Sequence, residues 1–209
     1  MRKIDFNLNE SLFKDFTTSR YSMSSKIDVR KTWDYSKEND LSFFVLSLGA
    51  LLNGVNSNSN LKRRIINNEV YEFDNLDGVF PILNENEEML EVRVGPPNNF
   101  KSFDKWYDYV IKEQNNVLND DTLAFKEPMD KRDEIPIANF SCIPWVDFET
   151  LTSCICDPHQ CQPLITWGKV NEDFKMSVAI TVSHIFVFGK DLGKFYTDVQ
   201  KNFNTINKI

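Results

Sequence analysis

The alternation of hydrophobic and polar positions along this chain predicts three helices. Residues 40–56 place apolar side chains along one helical stripe, and Asp40 is a candidate N-cap. Residues 102–118 repeat aromatic and apolar positions at helical spacing after a capping serine. Residues 191–204 begin at Asp191 and also carry their apolar positions on one side. Each segment is therefore expected to bury one face against the rest of the protein.

Short segments with β-branched and aromatic character lie between these helices and predict strands. In the last of them apolar residues alternate with polar or small ones, so one of its sides is expected to face the core. A turn at 171–173 joins it to the preceding strand as a hairpin. This order of elements predicts an α/β fold of two layers, with helices packed on one face of a mixed sheet. The predicted strands are residues 21–29, 69–73, 78–83, 89–94, 137–143, 163–170 and 174–182.

The composition agrees with one globular unit. The chain has 209 residues, of which 41% are hydrophobic, and no repeat or low-complexity linker divides it, so we expect a single domain over residues 1–209. The net charge is −7 and the acidic residues are spread along the chain, which argues against a nucleic-acid partner. The longest apolar run is too short to cross a bilayer, and the first residues lack the apolar core of a signal peptide. These features predict a cytoplasmic protein with reduced thiols.

Three of the four cysteines crowd into the stretch "CICDPHQC" at residues 154–161. Cys154, Cys156, His159 and Cys161 would supply three thiolates and an imidazole to a zinc ion. The spacing argues against zinc, because structural sites draw their ligands from two separated pairs and an extended C-x-C sends its side chains to opposite faces. The alternative is that the stretch lines a cavity or a surface loop, and no metal is expected.

Only two histidines are available for acid–base chemistry near neutral pH. His184 directly follows the last predicted strand and precedes a helix, a common place for a catalytic side chain. A structural histidine with satisfied hydrogen bonds is the other interpretation. His159 lies in the cysteine-rich stretch.

Four segments together resemble the chloramphenicol acetyltransferases, which are trimeric bacterial enzymes that transfer an acetyl group from acetyl-CoA to a hydroxyl of the antibiotic. The order and separation of the segments agree with the family over nearly the whole chain. They are "YSMSSKIDV" at 21–29, "NFSCIPWVDF" at 139–148, "PLITWGK" at 163–169 and "ITVSHIFVFG" at 180–189.

The resemblance implies a role for each matching residue. His184 matches the general base that takes the proton from the acceptor hydroxyl. Ser141 matches the serine that stabilises the oxyanion of the tetrahedral intermediate, and Thr166 matches a threonine that supports this intermediate through a water. Tyr21 matches an aromatic wall of the acceptor pocket. Phe125, Leu90 and Cys154 fall near further pocket-lining positions.

The resemblance also implies direct transfer in a ternary complex without a metal. In the family the site lies between subunits, so that the base of one protomer faces the acceptor pocket of the next, and a homotrimer is required for activity. The cysteines of the 154–161 stretch are then small side chains that shape a cavity, and His159 is a surface loop residue.

Two residues of the family's catalytic signature differ here. The first histidine of the signature is replaced by Ser183, and its aspartate by Phe188. The arginine that pairs with this aspartate in the family corresponds to about Asn9. Both partners are missing together, which avoids a buried unpaired charge. We expect an apolar contact of Phe188 to anchor the loop instead.

The expected coenzyme contacts are also fewer than in the family. A lysine and a tyrosine at the start of the family's first long helix appear as Ser42 and Phe44, and the aromatic residue after the family's strand lysine is Val170. Lys169 remains as a coenzyme-binding residue. The densest basic cluster is "LKRR" at 61–64, which either binds CoA phosphates or is a solvated strand edge.

The sequence thus predicts an acetyl-CoA-dependent O-acetyltransferase with chloramphenicol as the leading acceptor. Two alternatives stay open at this point. One is the same chemistry on another small hydroxylated acceptor, and the other is a catalytically silent trimeric binding protein of the same fold.

Overall fold

A six-stranded mixed sheet organises the protein in the computed structural model, which describes residues 1–154 and 156–206. The strand order in this sheet is β2-β9-β8-β7-β5-β6, with parallel pairing of β5 to β7 and of β7 to β8 and antiparallel pairing elsewhere. A second sheet has the order β1-β4-β3. The strands are β1 Arg2–Lys3, β2 Arg20–Asp28, β3 Arg63–Ile66, β4 Glu69–Glu72, β5 Asp77–Leu83, β6 Met89–Val94, β7 Ile137–Cys142, β8 Leu164–Val170 and β9 Lys175–Ser183.

Among the described residues four α-helices pack on one side of the large sheet, and this arrangement confirms the predicted two-layer α/β fold. They are α1 Arg30–Glu38, α2 Phe43–Asn56, α3 Phe103–Asn119 and α4 Gly189–Asn204. The sequence pattern predicted all of these helices except α1. Helix α1 gives no hydrophobic pattern because its buried residues, Thr32 and Ser36, are polar. No helix in the described part of the chain is long and apolar enough to cross a membrane.

Helix α2 is the buried centre of the helical layer. Its start differs from the prediction, because Asp40 has a positive φ of 53° and cannot begin a helix. Ser42 is the N-cap instead, and its hydroxyl accepts a hydrogen bond from the Val45 amide at 3.4 Å. At Gly49 a Cβ atom would lie 2.7 Å from the rings of Phe103 and Trp106 of α3, so the absence of a side chain lets the two helices approach closely.

Strand β9 is buried on both faces, which corrects the expectation that only one side would face the core. Its apolar side chains belong to the same hydrophobic core as those of the helices. Its small and polar side chains are covered by the segment that links β7 to β8, where the Ser177 hydroxyl bonds to Asp147 and the Thr181 hydroxyl donates to Ser153 Oγ at 3.0 Å. The hairpin of β8 and β9 is confirmed.

The first part of this covering segment lies directly on β8. The Ile143 amide donates to the Trp167 carbonyl at 2.8 Å, and the Lys169 amide donates to the Val146 carbonyl at 2.9 Å. A Cβ at Gly168 would lie 2.6 Å from the same Val146 oxygen. A glycine is therefore needed at 168 for this close approach.

Candidate active site

The backbone after β9 makes a tight turn that carries His184. The His184 amide donates to the Ser19 carbonyl at 2.7 Å, and the Val187 amide donates to the Ser183 carbonyl at 3.0 Å. Ser183, which is 1% exposed, shares a hydrogen bond of 3.0 Å between its hydroxyl and that of Ser19. The serine that replaces the first signature histidine thus ties the turn to the chain entering β2.

The imidazole of His184 lies between two aromatic rings. The Phe13 ring is stacked on it with centroids 3.8 Å apart and an interplanar angle of 8°, and the Tyr21 ring is stacked at 4.4 Å and 27°. The Nδ1 atom is buried and has no hydrogen-bond partner among the described residues. The half-buried ring therefore has Nε2 left to face a substrate.

Phe188 contacts the same group of rings, as expected for a residue that replaces the signature aspartate. Its ring meets those of His184 and Phe13 edge-on, at centroid distances of 5.2 and 6.3 Å. Asn9 is exposed and accepts a hydrogen bond from Lys14 at 3.4 Å. An aromatic contact thus stands where the resemblance places an ion pair.

Helix α4 begins immediately after this loop. It starts at Gly189, two residues before the predicted start, and the Asp191 carboxylate accepts a hydrogen bond from the Phe188 amide at 2.9 Å. The same carboxylate accepts from Asn60 at 2.9 Å. Asp191 therefore fixes both the end of the histidine loop and the start of the helix.

Tyr21 is part of this site as well as a predicted wall of the acceptor pocket. Its hydroxyl donates to the Val187 carbonyl at 3.2 Å. Burial, and then the nearby Asp191 charge, raise the pKa of Tyr21 above its usual value of about 10. The phenol therefore stays protonated at neutral pH and holds the loop through its hydrogen bond.

Ser141 and Thr166 lie side by side in the middle of the sheet. They are register partners in the parallel pair of β7 and β8, and Thr166 is also opposite Ala179 of β9. Thr166 is 4% exposed, and Ser141 is half-buried. The structure thus brings the two predicted supports of the tetrahedral intermediate together.

These two side chains are far from His184 of the same chain. His184 lies five residues beyond Ala179 along β9, which at about 3.3 Å per residue is roughly 16 Å, and Ser141 lies two strand spacings to the side, or about 10 Å. The combined separation is on the order of 19 Å, too long for both groups to contact one reacting carbonyl.

Three other predicted pocket residues lie elsewhere on the chain. Leu90 is on β6, at the opposite edge of the sheet from Tyr21. Phe125 lies beside β6, where its amide donates to the Glu91 carbonyl at 2.8 Å. Cys154 is exposed on the segment between β7 and β8. Within one chain, therefore, the predicted acceptor residues are spread across the sheet.

The structure changes the interpretation of the basic cluster at 61–64. Arg64 is completely buried, and its guanidinium donates to the carbonyls of Leu61 at 3.0 Å and Ile137 at 2.8 Å. Leu61 is itself 1% exposed. Arg64 is thus a structural cation that cannot bind phosphates, and the cluster is not simply a solvated edge. Lys169 is exposed at the end of β8, where a phosphate could reach it.

A buried polar cluster around Asp133 was not predicted. Asp133 accepts hydrogen bonds from the amides of Cys161 at 2.7 Å and Gln162 at 2.8 Å, and lies 3.7 Å from Arg64 Nε. The buried Arg20 guanidinium donates to the carbonyls on either side of Cys161. Burial lowers the pKa of both arginines, and the Asp133 charge opposes this shift. No sequence signal marks the cluster, since its members are distant along the chain.

The cysteine-rich stretch does not converge on a point. Cys154 and Cys156 are exposed, whereas Cys161 is buried, and among the described residues no group of three or more potential metal ligands comes together. Ile155 lies outside the described residues. In the described part of the chain these three cysteines therefore lie in different environments.

The four thiols should therefore differ in reactivity towards a maleimide at neutral pH. Burial raises the pKa of Cys161 and that of Cys142 to about 12, so these thiols remain protonated and unreactive. We expect rapid labelling of Cys154 and Cys156 in the native protein and of all four thiols in denaturant. Mass spectrometry of the labelled peptides checks this, and native protection of Cys156 would contradict it.

Comparison with solved structures places this fold among acyltransferases. A chloramphenicol acetyltransferase superposes with a TM-score of 0.78 and 21% identity, covering 98% of this chain and 100% of that one. A probable dihydrolipoamide acetyltransferase from Listeria monocytogenes 4b F2365 has a TM-score of 0.67 and 14% identity, with 91% and 86% covered. The dihydrolipoamide acetyltransferase of Azotobacter vinelandii has a TM-score of 0.67 and 9% identity, with 91% and 83% covered.

Sequence comparison adds a family. No curated protein has a sequence significantly similar to this chain. The profile of the family described as "Chloramphenicol acetyltransferase", however, matches residues 2–200. Because this match spans nearly all of the 209 residues, the chain belongs to the chloramphenicol acetyltransferase family, and the family and fold together indicate an acyl-CoA-dependent acetyltransferase.

Proposed function

We propose that this protein is an acetyl-CoA-dependent O-acetyltransferase that uses His184 as its general base, with chloramphenicol as the leading acceptor. The observation that carries the proposal is the half-buried imidazole held at the end of β9 between Phe13 and Tyr21, with Nδ1 buried. A general base needs such a fixed ring, with one nitrogen directed towards the acceptor.

The proposed reaction uses His184 as the base and Ser141, with Thr166 beside it, as the support of the oxyanion. To act as the base, the imidazole accepts the proton of the acceptor hydroxyl at Nε2, which requires its own proton to be on Nδ1. The acceptor oxygen attacks the thioester carbonyl, and the Ser141 hydroxyl donates to the resulting oxyanion, with Thr166 beside it. The C–S bond then breaks, and the CoA sulfur leaves as a thiol with the proton from His184.

The separation of His184 from Ser141 supports a site shared between subunits. The two residues are on the order of 19 Å apart in one chain by strand geometry, so His184 of one protomer and Ser141 of the next must form each site. A homotrimer, as expected for the family, would contain three such sites. As the resemblance implies, Leu90, Phe125 and Cys154 are proposed to line the acceptor pocket of such a shared site together with Tyr21.

The donor is proposed to bind at the end of β8. The exposed Lys169 is a basic group there that would contact a CoA phosphate, whereas the nearby Lys26 is paired with Asp147. Lys169 lies in an acidic surrounding that includes Asp147 and Glu172. One point charge in such a setting supports weaker phosphate binding than a cluster would, so a high KM for acetyl-CoA is expected.

A thiol-release assay tests the proposal. Purified protein is mixed with acetyl-CoA and chloramphenicol, and free CoA is followed with a thiol reagent after correction for the protein's own cysteines. We expect release that depends on both substrates, together with an acetylated product in mass spectrometry. Release with other small alcohols but not with chloramphenicol would mean that the acceptor is a different alcohol and that the proposed acetyl transfer holds. The absence of turnover with every acceptor would favour a silent binding protein.

A further inference from the structure

We infer that Phe13 is the positioning residue for His184. This chain lacks the charged pair of the family, since Phe188 and Asn9 replace the aspartate and the arginine, and the Phe13 ring orients the imidazole instead. The expected effect on catalysis rests on the proposed function, whereas the orientation of the imidazole by Phe13 does not depend on it. Phe13 belongs to a short 3-10 helix, Leu12–Asp15, that no sequence pattern connected with the site.

The two stacked rings hold the imidazole from opposite sides. Phe13 and Tyr21 both lie nearly parallel to His184, with interplanar angles of 8° and 27°. Two rings stacked on the same face of one imidazole would overlap, so each must occupy its own face. Phe13 makes the closer and more parallel contact, at 3.8 Å against 4.4 Å.

Hydrogen bonds do not fix the plane of this ring. The His184 amide is held by Ser19, but that contact leaves the side-chain torsions free. The Nδ1 atom has no hydrogen-bond partner in the described part of the chain. Since rotation about the bond to an imidazole has broad minima, stacking is what confines the ring.

Phe13 also connects the imidazole with Phe188. The Phe188 ring, 48% exposed, meets both Phe13 and His184 edge-on. Phe16 packs against Phe13 from the other end of the short helix, with centroids 5.5 Å apart. Phe13 thus joins the N-terminal segment to the histidine loop, alongside the edge-on contact of Phe6 with Phe186 at 5.3 Å.

Imidazole NMR signals test the inference directly, because the chain has only two histidines. Protons above the face of a stacked aromatic ring are shielded, so His184 should show carbon-bound ring protons upfield of those of His159. The protein is labelled with ¹³C-histidine, and a His159→Gln variant assigns the signals. In Phe13→Leu we expect the His184 signals to move downfield and broaden, while those of His159 stay in place.

Kinetics of the same variants give the functional consequence. Misorienting the base should lower kcat in Phe13→Leu by on the order of 10- to 100-fold with little change in the KM for acetyl-CoA. Phe13→Tyr keeps a stacking ring and should restore both the shielding and the rate. Phe100→Leu, the same change at a half-buried phenylalanine whose ring packs at a tilt against Tyr109, controls for the general cost of losing a ring.

The outcomes separate this inference from the proposed function. Unchanged His184 signals in a folded Phe13→Leu variant would overturn it, whatever the activity. Changed signals with unchanged kcat would show that the stack does not serve catalysis, and would also overturn it. Broadened His184 signals in a protein without acyl transfer would leave Phe13 as the residue that orients His184 and would refute the proposed function instead.

Discussion

Replacement of His184 by alanine is expected to lower kcat for acyl transfer by about 10²–10⁴-fold, the usual contribution of a positioned general base. The acceptor hydroxyl would then lose its proton only to water, while the donor would bind as before. The KM for acetyl-CoA should therefore remain within a small factor of the wild-type value. Thiol release under saturating acceptor measures the change.

The second histidine provides the matched control. His159 lies in the loop before β8, where its amide donates to Asp157 at 2.7 Å. His159→Ala should retain turnover. If His159→Ala lost activity while His184→Ala retained it, the base would be His159 and the proposed assignment to His184 would be wrong.

A mixture of two inactive variants tests whether each site is shared. Ser141→Ala lacks the oxyanion donor, and His184→Ala lacks the base. When the two chains are unfolded, combined in equal amounts and reassembled, every mixed trimer contains one intact pair, which gives roughly one quarter of wild-type activity. If both groups acted within one chain, the mixture would stay as inactive as its components.

Replacement of Asp133 by alanine is expected to lower the free energy of unfolding by about 3–5 kcal/mol, because it leaves a buried cation unpaired. Arg64 is completely buried, and Asp133 is its carboxylate partner at 3.7 Å. The same change removes the acceptor for the amides of Cys161 and Gln162. Urea unfolding at a fixed protein concentration measures the loss.

Two variants make this measurement specific. Asp133 lies on the 3-10 helix Met129–Glu134, and Asp130→Ala, at an exposed position of this helix, should change stability by less than about 0.5 kcal/mol. Asp133→Asn keeps an acceptor oxygen but loses the charge, and should fall between the wild type and Asp133→Ala. Equal stability of all three variants would mean that the carbonyl contacts alone satisfy Arg64.

The main elements of the fold were predictable because their patterns are local. The apolar stripe of α2 and the alternation in β9 mark these elements without any reference to tertiary structure. Helix α1 was not predicted, because its buried residues are Thr32 and Ser36, which carry no hydrophobic signal. The burial of both faces of β9 was not predicted, because the segment that covers its second face is irregular and has no periodic pattern.

The site was predictable only where it follows a motif. Ser141 and Thr166, which the resemblance assigns to the same intermediate, lie opposite each other on adjacent strands. Their joint role and that of His184 remain proposals. Phe13 carried no signal, because its importance arises from a contact with a residue near the other end of the chain. Arg64 appeared to be a surface charge until its burial was seen.

The pairing of β2 with β9 has a consequence for biosynthesis. Arg20 is opposite Ser183, so β2 leaves the ribosome long before the strand with which it pairs has been made. Such distant pairing is slow, and the waiting edge is prone to association with other nascent chains. Because the Ser19 carbonyl also holds the His184 amide, the same late event closes the sheet and sets the imidazole in place. Chaperone dependence and the appearance of activity should therefore share one time course.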